Sequence, residues 1–222
     1  MEERSKGLLR SKLYRYFSAF FCLPEKEVHG DPVVWQDFLE CAMEYDYTLY
    51  EQVKTLKSAF EEFDEAELQI EYTRLFLGAS LEVPAPPYGS VYLEDRQIMG
   101  KTTLEVKKFF QREGLQVDDN WPHPPDHIVS ELEFMGYLTL REGEDQFAGN
   151  EDIINQFFTK QKFFFNRYLY NFCLRFIQSI KTNTENAFFL ALANSFESFI
   201  KCEAKVLYDP NYFITPLSVI SN

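Results

Sequence analysis

Residues 150–181 read NEDIINQFFTKQKFFFNRYLYNFCLRFIQSIK, and residues 184–208 read TENAFFLALANSFESFIKCEAKVLY. Neither stretch contains a proline or a glycine, and in both Phe and Leu return at three- and four-residue steps, the spacing of one face of an α-helix. Two long helices are expected there. Because uninterrupted helices beyond about 25 residues are uncommon, the first is expected to divide near Arg167.

The same pattern extends towards the amino terminus. Leu8, Leu9, Leu13, Tyr16, Phe17 and Phe20 form an amphipathic stripe that stops before Pro24. Asp31-Pro32 supplies an N-cap and a first-turn proline for a helix carrying Val34, Trp35, Phe38, Leu39 and Met43. A shorter helix is expected through Tyr50, Val53, Leu56 and Phe60. Asp64 and Glu67 have capping-box spacing and open a helix with Leu68, Tyr72, Leu75 and Phe76, stopping at Gly78. From Gly78 to Lys101 the helical pattern disappears into a proline-rich loop. Thr102 and Glu105 repeat the capping-box spacing ahead of Leu104, Val106, Phe109 and Phe110, with Gly114 as the stop. After the stiff connector Trp121-Pro-His-Pro-Pro125, a helix is expected from Pro125 or Asp126, with Ile128, Leu132, Met135 and Leu138 on one face. The expected fold is therefore all-α, one helical-bundle domain over residues 1–222 with a long proline-rich loop between its central helices.

Composition supports that class. Nine Gly and ten Pro in 222 residues are too few for a turn-rich sandwich or barrel. Lys+Arg number 22 against 35 Asp+Glu, so a net charge of −13 repels phosphate backbones and attracts basic peptides. Nucleic acid is accordingly not an expected partner. Cys22, Cys41, Cys173 and Cys202 are widely spaced and read as free thiols of a reducing compartment. No apolar run approaches spanning length and the first residues lack a leader's charge pattern, so the expected location is the cytoplasm, without stable membrane insertion.

Chemistry-bearing residues are sparse. His29, His123 and His127 are the only histidines, with no cysteine near them in sequence and no Glu-x-x-His, so neither a metal nor another cofactor is expected. Ser90, Asp126 and His127 could be nominated for nucleophilic catalysis, but no strand-turn-helix elbow, Walker or Rossmann glycine pattern frames them. A metal- or nucleotide-dependent helical enzyme using that cluster is the alternative reading, and a helical scaffold whose loop merely packs is a third.

The proline loop carries more. Pro84, Pro86 and Pro87 impose a stiff, extended course, with Tyr88 and Tyr92 as amphipathic contacts. Tyr72, Leu75 and Phe76 share the face of the helix that runs into it. A loop wall, an apolar face, and Asp126 and His127 at a helix start could together receive a basic residue followed by a hydrophobic peptide stretch. Core packing is the majority reading for the stripe, helix capping is by itself a sufficient role for Asp126, and His127 can pair with Glu131 one turn on.

Three ordered pieces resemble a known family. Tyr72-Thr-Arg-Leu-Phe-Leu-Gly78 is similar to the aromatic-x-x-Leu-Phe-x-Gly helix end of the TorD/DmsD cytoplasmic chaperones, relatives of the NarJ type. Pro84-Ala-Pro-Pro-Tyr-Gly-Ser-Val-Tyr92 resembles their proline-rich loop, and Pro125-Asp-His-Ile-Val-Ser-Glu-Leu132 their Pro-Asp-His-x-x-x-Glu-Leu helix start. Two departures stand out: Pro124 occupies a position commonly acidic in the family, and Tyr168-Leu169 with Phe172 replaces a later His-Leu-x-x-Trp pattern.

The resemblance implies a chaperone, not an enzyme. It would bind the twin-arginine signal peptide of a molybdopterin-containing reductase catalytic subunit and hold the precursor until cofactor loading and folding are complete. It implies an apolar groove of Tyr72, Leu75, Phe76, Pro86, Tyr88, Ser90 and Tyr92, and polar recognition by Asp126 and His127, with Glu131 nearby. It also implies a monomer or a domain-exchanged dimer, with a hinge around 115–125.

Overall fold

Helices form where caps and prolines admit them, and tertiary contacts trim their ends. The computed structural model describes residues 6–77, 83–94, 98–118 and 120–208. In chain order these form α1 (Lys6–Phe20), α2 (Lys26–His29), α3 (Pro32–Tyr45), α4 (Tyr47–Glu61), α5 (Glu65–Phe76), α6 (Gly89–Leu93), α7 (Lys101–Arg112), α8 (Ile128–Ala148), α9 (Glu151–Phe164), α10 (Tyr170–Asn183) and α11 (Ala187–Tyr208). No strand lies among the described residues, so the all-α expectation holds.

The caps follow sequence chemistry closely at three starts. Asp31 accepts the Val33 N–H at 2.8 Å and Pro32 occupies the first turn of α3. Asp46 accepts the Leu49 N–H at 2.9 Å and opens α4, which runs 15 residues and is as long as α1 rather than shorter. Asp64 and Glu67 form the full reciprocal capping box on α5. α5 ends at Phe76, and the expected stop, Gly78, lies outside the described residues.

Three expectations need correction. Thr102 and Glu105 do not cap α7: the helix opens at Lys101, and the Glu94 carboxylate accepts the N–H groups of Lys101, at 3.1 Å, and of Thr102. A carboxylate from the previous segment does there what a local side chain was expected to do. The loop between Gly78 and Lys101 is not wholly irregular either, since Gly89–Leu93 makes a turn of helix. Finally, residues 150–181 do not divide near Arg167. The chain winds wider over Phe165–Leu169 in a π-helical turn and continues directly from α9 into α10. That extra residue lets Phe164, Phe165, Tyr168 and Leu169 all turn inward without breaking the helix.

Two long contacts organise the bundle. α1 lies along α8 at backbone distance: a Cβ on Gly7 would stand 2.6 Å from the Gly143 nitrogen, and the Ser11 hydroxyl donates to the Gly136 carbonyl at 2.7 Å. Around α1, α3 and α11 the core is largely aromatic, with Phe17 centred 5.0 Å from Phe199 and 5.4 Å from Phe38. α5 adds Leu75 and Phe76, the latter against Phe176 of α10 and Phe189 of α11 at 5.7 and 5.8 Å.

Candidate functional site

The proline loop is held at both ends by backbone hydrogen bonds, because prolines offer carbonyls but no N–H. Ala85 N–H donates to the Leu75 carbonyl at 3.0 Å, tying the loop to the end of α5. Further on, Gly89 N–H donates to the Asp126 carbonyl and Ile128 N–H to the Pro87 carbonyl, each at 2.8 Å, so that Tyr88 and His127 form an isolated antiparallel bridge. The Asp126 carboxylate completes the clamp by accepting the Ser90 N–H at 2.8 Å, at the start of α6.

This geometry reassigns two roles. The N-cap of α8 is His127, whose Nδ1 accepts the Val129 N–H at 3.2 Å, and not Asp126, which serves α6 across the loop. His127 and Glu131 do not pair through their side chains: His127 Nε2 and both Glu131 carboxyl oxygens have no hydrogen-bond partner among the described residues. Ser90 Oγ and Asp126 Oδ1 share that condition.

Of the ten positions expected in the peptide site, eight are buried: Tyr72, Leu75, Phe76, Pro86, Ser90, Asp126, His127 and Glu131. Tyr88 and Tyr92 are half-buried. The face of α5 made by Tyr72, Leu75 and Phe76 is part of the core, with the Tyr72 hydroxyl donating to the Phe21 carbonyl at 3.1 Å. Tyr92 stacks on Phe172 at 5.5 Å. What reaches the surface is an aromatic cluster over the clamp. His123 stacks on His127 at 4.3 Å, Tyr88 stands edge-on to His127 at 5.3 Å, and Trp121 meets His123 and His127 edge-on at 5.0 and 5.7 Å. Tyr88 OH and His123 Nδ1 are 3.2 Å apart.

Burial sets the protonation states. Glu131 is held well above the usual carboxylate range by desolvation and then by the charge on Asp126. His127 is pushed well below the usual imidazole value by burial and then by His123, so it is uncharged at neutral pH. Cys173 of α10 is raised well above the ordinary thiol value by burial and then by the charge of Glu131. Gly89 gives the Glu131 carboxyl room: a Cβ there would sit 3.0 Å from Oε1, so the carboxyl would have to give by a few tenths of an ångström.

Sequence reasoning missed the open part of the site. A cleft of about 410 Å³ runs between α7, residues 115–118 with Trp121, and the front of α8, with Phe110, Leu115, Val117, Trp121, Phe134 and Tyr137 among its lining residues. Leu115 and Val117 are apolar residues just past the Gly114 stop and outside any helical stripe, which is the signal that could have marked them. Gly114 itself behaves as expected, with φ +74° immediately after the end of α7.

Ser90 Oγ is not hydrogen-bonded to His127 in this structure. Among the described residues no three His, Cys, Asp or Glu converge to hold a metal ion. The described residues thus form an all-helical domain with a clamped proline loop and an apolar cleft beside it.

Comparison with known proteins agrees. The family model described as nitrate reductase delta subunit matches residues 43–178. The chain is 28% identical over 207 residues to Chaperone protein TorD of Vibrio parahaemolyticus, covering 89% of this chain and 94% of that one. It is 27% identical over 186 residues to the TorD of Photobacterium profundum, covering 82% and 83% of the two chains. A solved structure of a candidate redox enzyme maturation protein from Archaeoglobus fulgidus shares the fold, with a TM-score of 0.52 and 23% identity over 88% of this chain and 94% of that one. The chain belongs to the nitrate reductase delta subunit family, as the three TorD/DmsD-like motifs indicated.

Proposed function

We propose that this protein is a cytoplasmic chaperone for a molybdopterin-dependent oxidoreductase, binding the twin-arginine leader of the catalytic-subunit precursor before export. Family membership and likeness to proteins named as chaperones support redox-enzyme maturation. The observation that carries the finer reading is the clamp, where Asp126 Oδ1 and the Glu131 oxygens stand without partners beneath a half-exposed aromatic cluster. A guanidinium supplies five N–H donors in a rigid fork, the group best suited to such acceptors. Because Asp126 is fully buried, an arginine reaches it only when the side chains over it move aside. The net charge of −13 draws a basic leader to the surface before that step.

No helix among the described residues is long and apolar enough to cross a membrane, which is compatible with action ahead of export. Affinity capture from the native cytoplasm tests the reading, the expected product being an unexported precursor with an Arg-Arg leader. Asp126→Asn, verified as folded, is expected to weaken leader binding and flatten its salt dependence. Unchanged affinity and salt dependence overturn the assignment of Asp126.

A further inference from the structure

We infer that the outer face of α7, with the turn before it and Phe163 of α9, docks reversibly on the surface of a bilayer containing anionic phospholipid. This goes beyond leader binding and does not depend on it, since none of these residues lines the cleft beside α8.

Charge is unevenly placed on this chain. Against a net −13 overall, α7 carries Lys101, Lys107, Lys108 and Arg112 with a single acidic residue, Glu105. Lys101, Leu104, Lys108 and Arg112 recur at three- and four-residue steps and all are exposed, so they form one solvent-facing stripe with Lys107 beside it. The carboxylates around the stripe are already engaged. Glu105 lies 3.5 Å from Lys101 and 3.2 Å from Arg167, Glu113 takes Lys160 at 2.8 Å, and Glu94 accepts N–H groups at the start of the helix. Lys107, Lys108 and Arg112 form no ion pair among the described residues, which leaves their charge for phosphate oxygens.

Apolar side chains stand among these cations. Met99, Leu104 and Phe163 are 70, 58 and 52% exposed, and Ile98 is exposed in the turn ahead of α7. Phe163 shares the surface, since its ring stacks on Phe109 of α7 at 5.6 Å. An acidic protein would neutralise the lysines but would need a shaped pocket for each apolar tip. A bilayer receives both at once, with phosphates at the ammonium groups and the apolar tips in the headgroup boundary. The acidity of the rest of the chain does not oppose this contact strongly. Helices behind α7 stand one helix diameter, about 10 Å, from the contact plane, beyond the Debye length of about 8 Å at physiological salt.

The test is co-sedimentation of the full chain with phosphatidylcholine vesicles made with or without phosphatidylglycerol. Binding to the anionic vesicles alone, falling as salt is raised, is expected. Lys107→Glu combined with Lys108→Glu is expected to weaken it at least tenfold. Lys54→Glu combined with Lys57→Glu, an equal change of charge on the surface of α4, is expected to leave it within twofold. Both double variants are checked for wild-type helicity. Leu104→Trp gives a reading that needs no loss of affinity: against the baseline of Trp35 and Trp121, its emission is expected to shift to the blue on anionic vesicles. Equal losses in the two double variants, or an unshifted spectrum on vesicles that do bind, overturn the assignment of this face. Absence of binding to anionic vesicles overturns the inference and leaves the leader-binding reading standing. Should the face instead meet an acidic protein or a second copy of the chain, vesicles would not bind and charge reversal would remove that partner, and the inference is again overturned.

Discussion

Arg10 and Glu203, 193 residues apart in sequence, meet in a bidentate pair with Nε to Oε1 and the second terminal nitrogen to Oε2 both at 2.8 Å, and both side chains are fully buried. Glu142 takes the remaining terminal nitrogen at 3.0 Å, while the hydroxyls of Tyr14 and Tyr45 donate to Glu203 at 2.7 and 2.6 Å. The network pins α1, α3, α8 and α11 at one point. Removing Arg10 leaves the two carboxylates without their shared cation in the core, so Arg10→Met is expected to lower stability by about 3–5 kcal/mol. Urea denaturation followed by circular dichroism measures this. A loss below about 1 kcal/mol would mean the charges find water.

Asp126 joins the proline loop to α6 through the Ser90 N–H. Asp126→Ala is expected to cost about 1 kcal/mol, the value of a lost N-cap, and to accelerate hydrogen exchange at the Ser90 amide. Asn retains an acceptor oxygen, so Asp126→Asn is expected to keep most of the protection. Equal exchange in all three proteins would show that the loop is held by its backbone bonds alone.

Glu131 holds its proton more tightly folded than unfolded, because burial and the Asp126 charge raise it. Its contribution is therefore full below the unfolded value near 4.5 and is lost as pH rises from there towards the elevated folded value. The titratable groups facing it are Asp126 from the connector and Cys173 from α10. Glu131→Gln mimics the protonated acid, and its melting temperature is expected to gain on wild type as pH rises above about 4.5. A constant offset between the two proteins would show that Glu131 does not titrate in this range.

His127 has the opposite sign. Burial lowers it well below 6.5, so its stabilising contribution is present above the unfolded value and is lost as pH falls from about 6.5. Protonation also removes the Nδ1 acceptor that caps α8. Nitrogen NMR at pH 7 should find the proton on Nε2. His127→Asn, which keeps a capping oxygen, is expected to flatten part of the acid limb, with buried His29, lowered in the same direction, supplying another part.

The helical skeleton was readable because its signals are local. Asp31-Pro32 and Asp64 with Glu67 cap their own helices through residues two or three positions on, and spacing alone determines that. Thr102 and Glu105 have the same spacing yet fail to cap α7, since Glu94 reaches the free N–H groups from outside the window. The Phe-rich run from 150 kept its helix through a π turn, where the bulge is set by how four aromatic and aliphatic side chains fit the core.

The chain's own order of residues thus determined an all-α fold, the position of the proline loop, and the three motifs that place it in its family. Tertiary structure decided which faces meet water. Periodicity identifies an apolar stripe but cannot distinguish one that lines a groove from one that fills the core, because both are equally hydrophobic; only packing against α10 and α11 buries Leu75 and Phe76. For the same reason the open cleft, built from Phe110, Leu115, Trp121 and Tyr137 on separate segments, exists only after α7 and α8 come together.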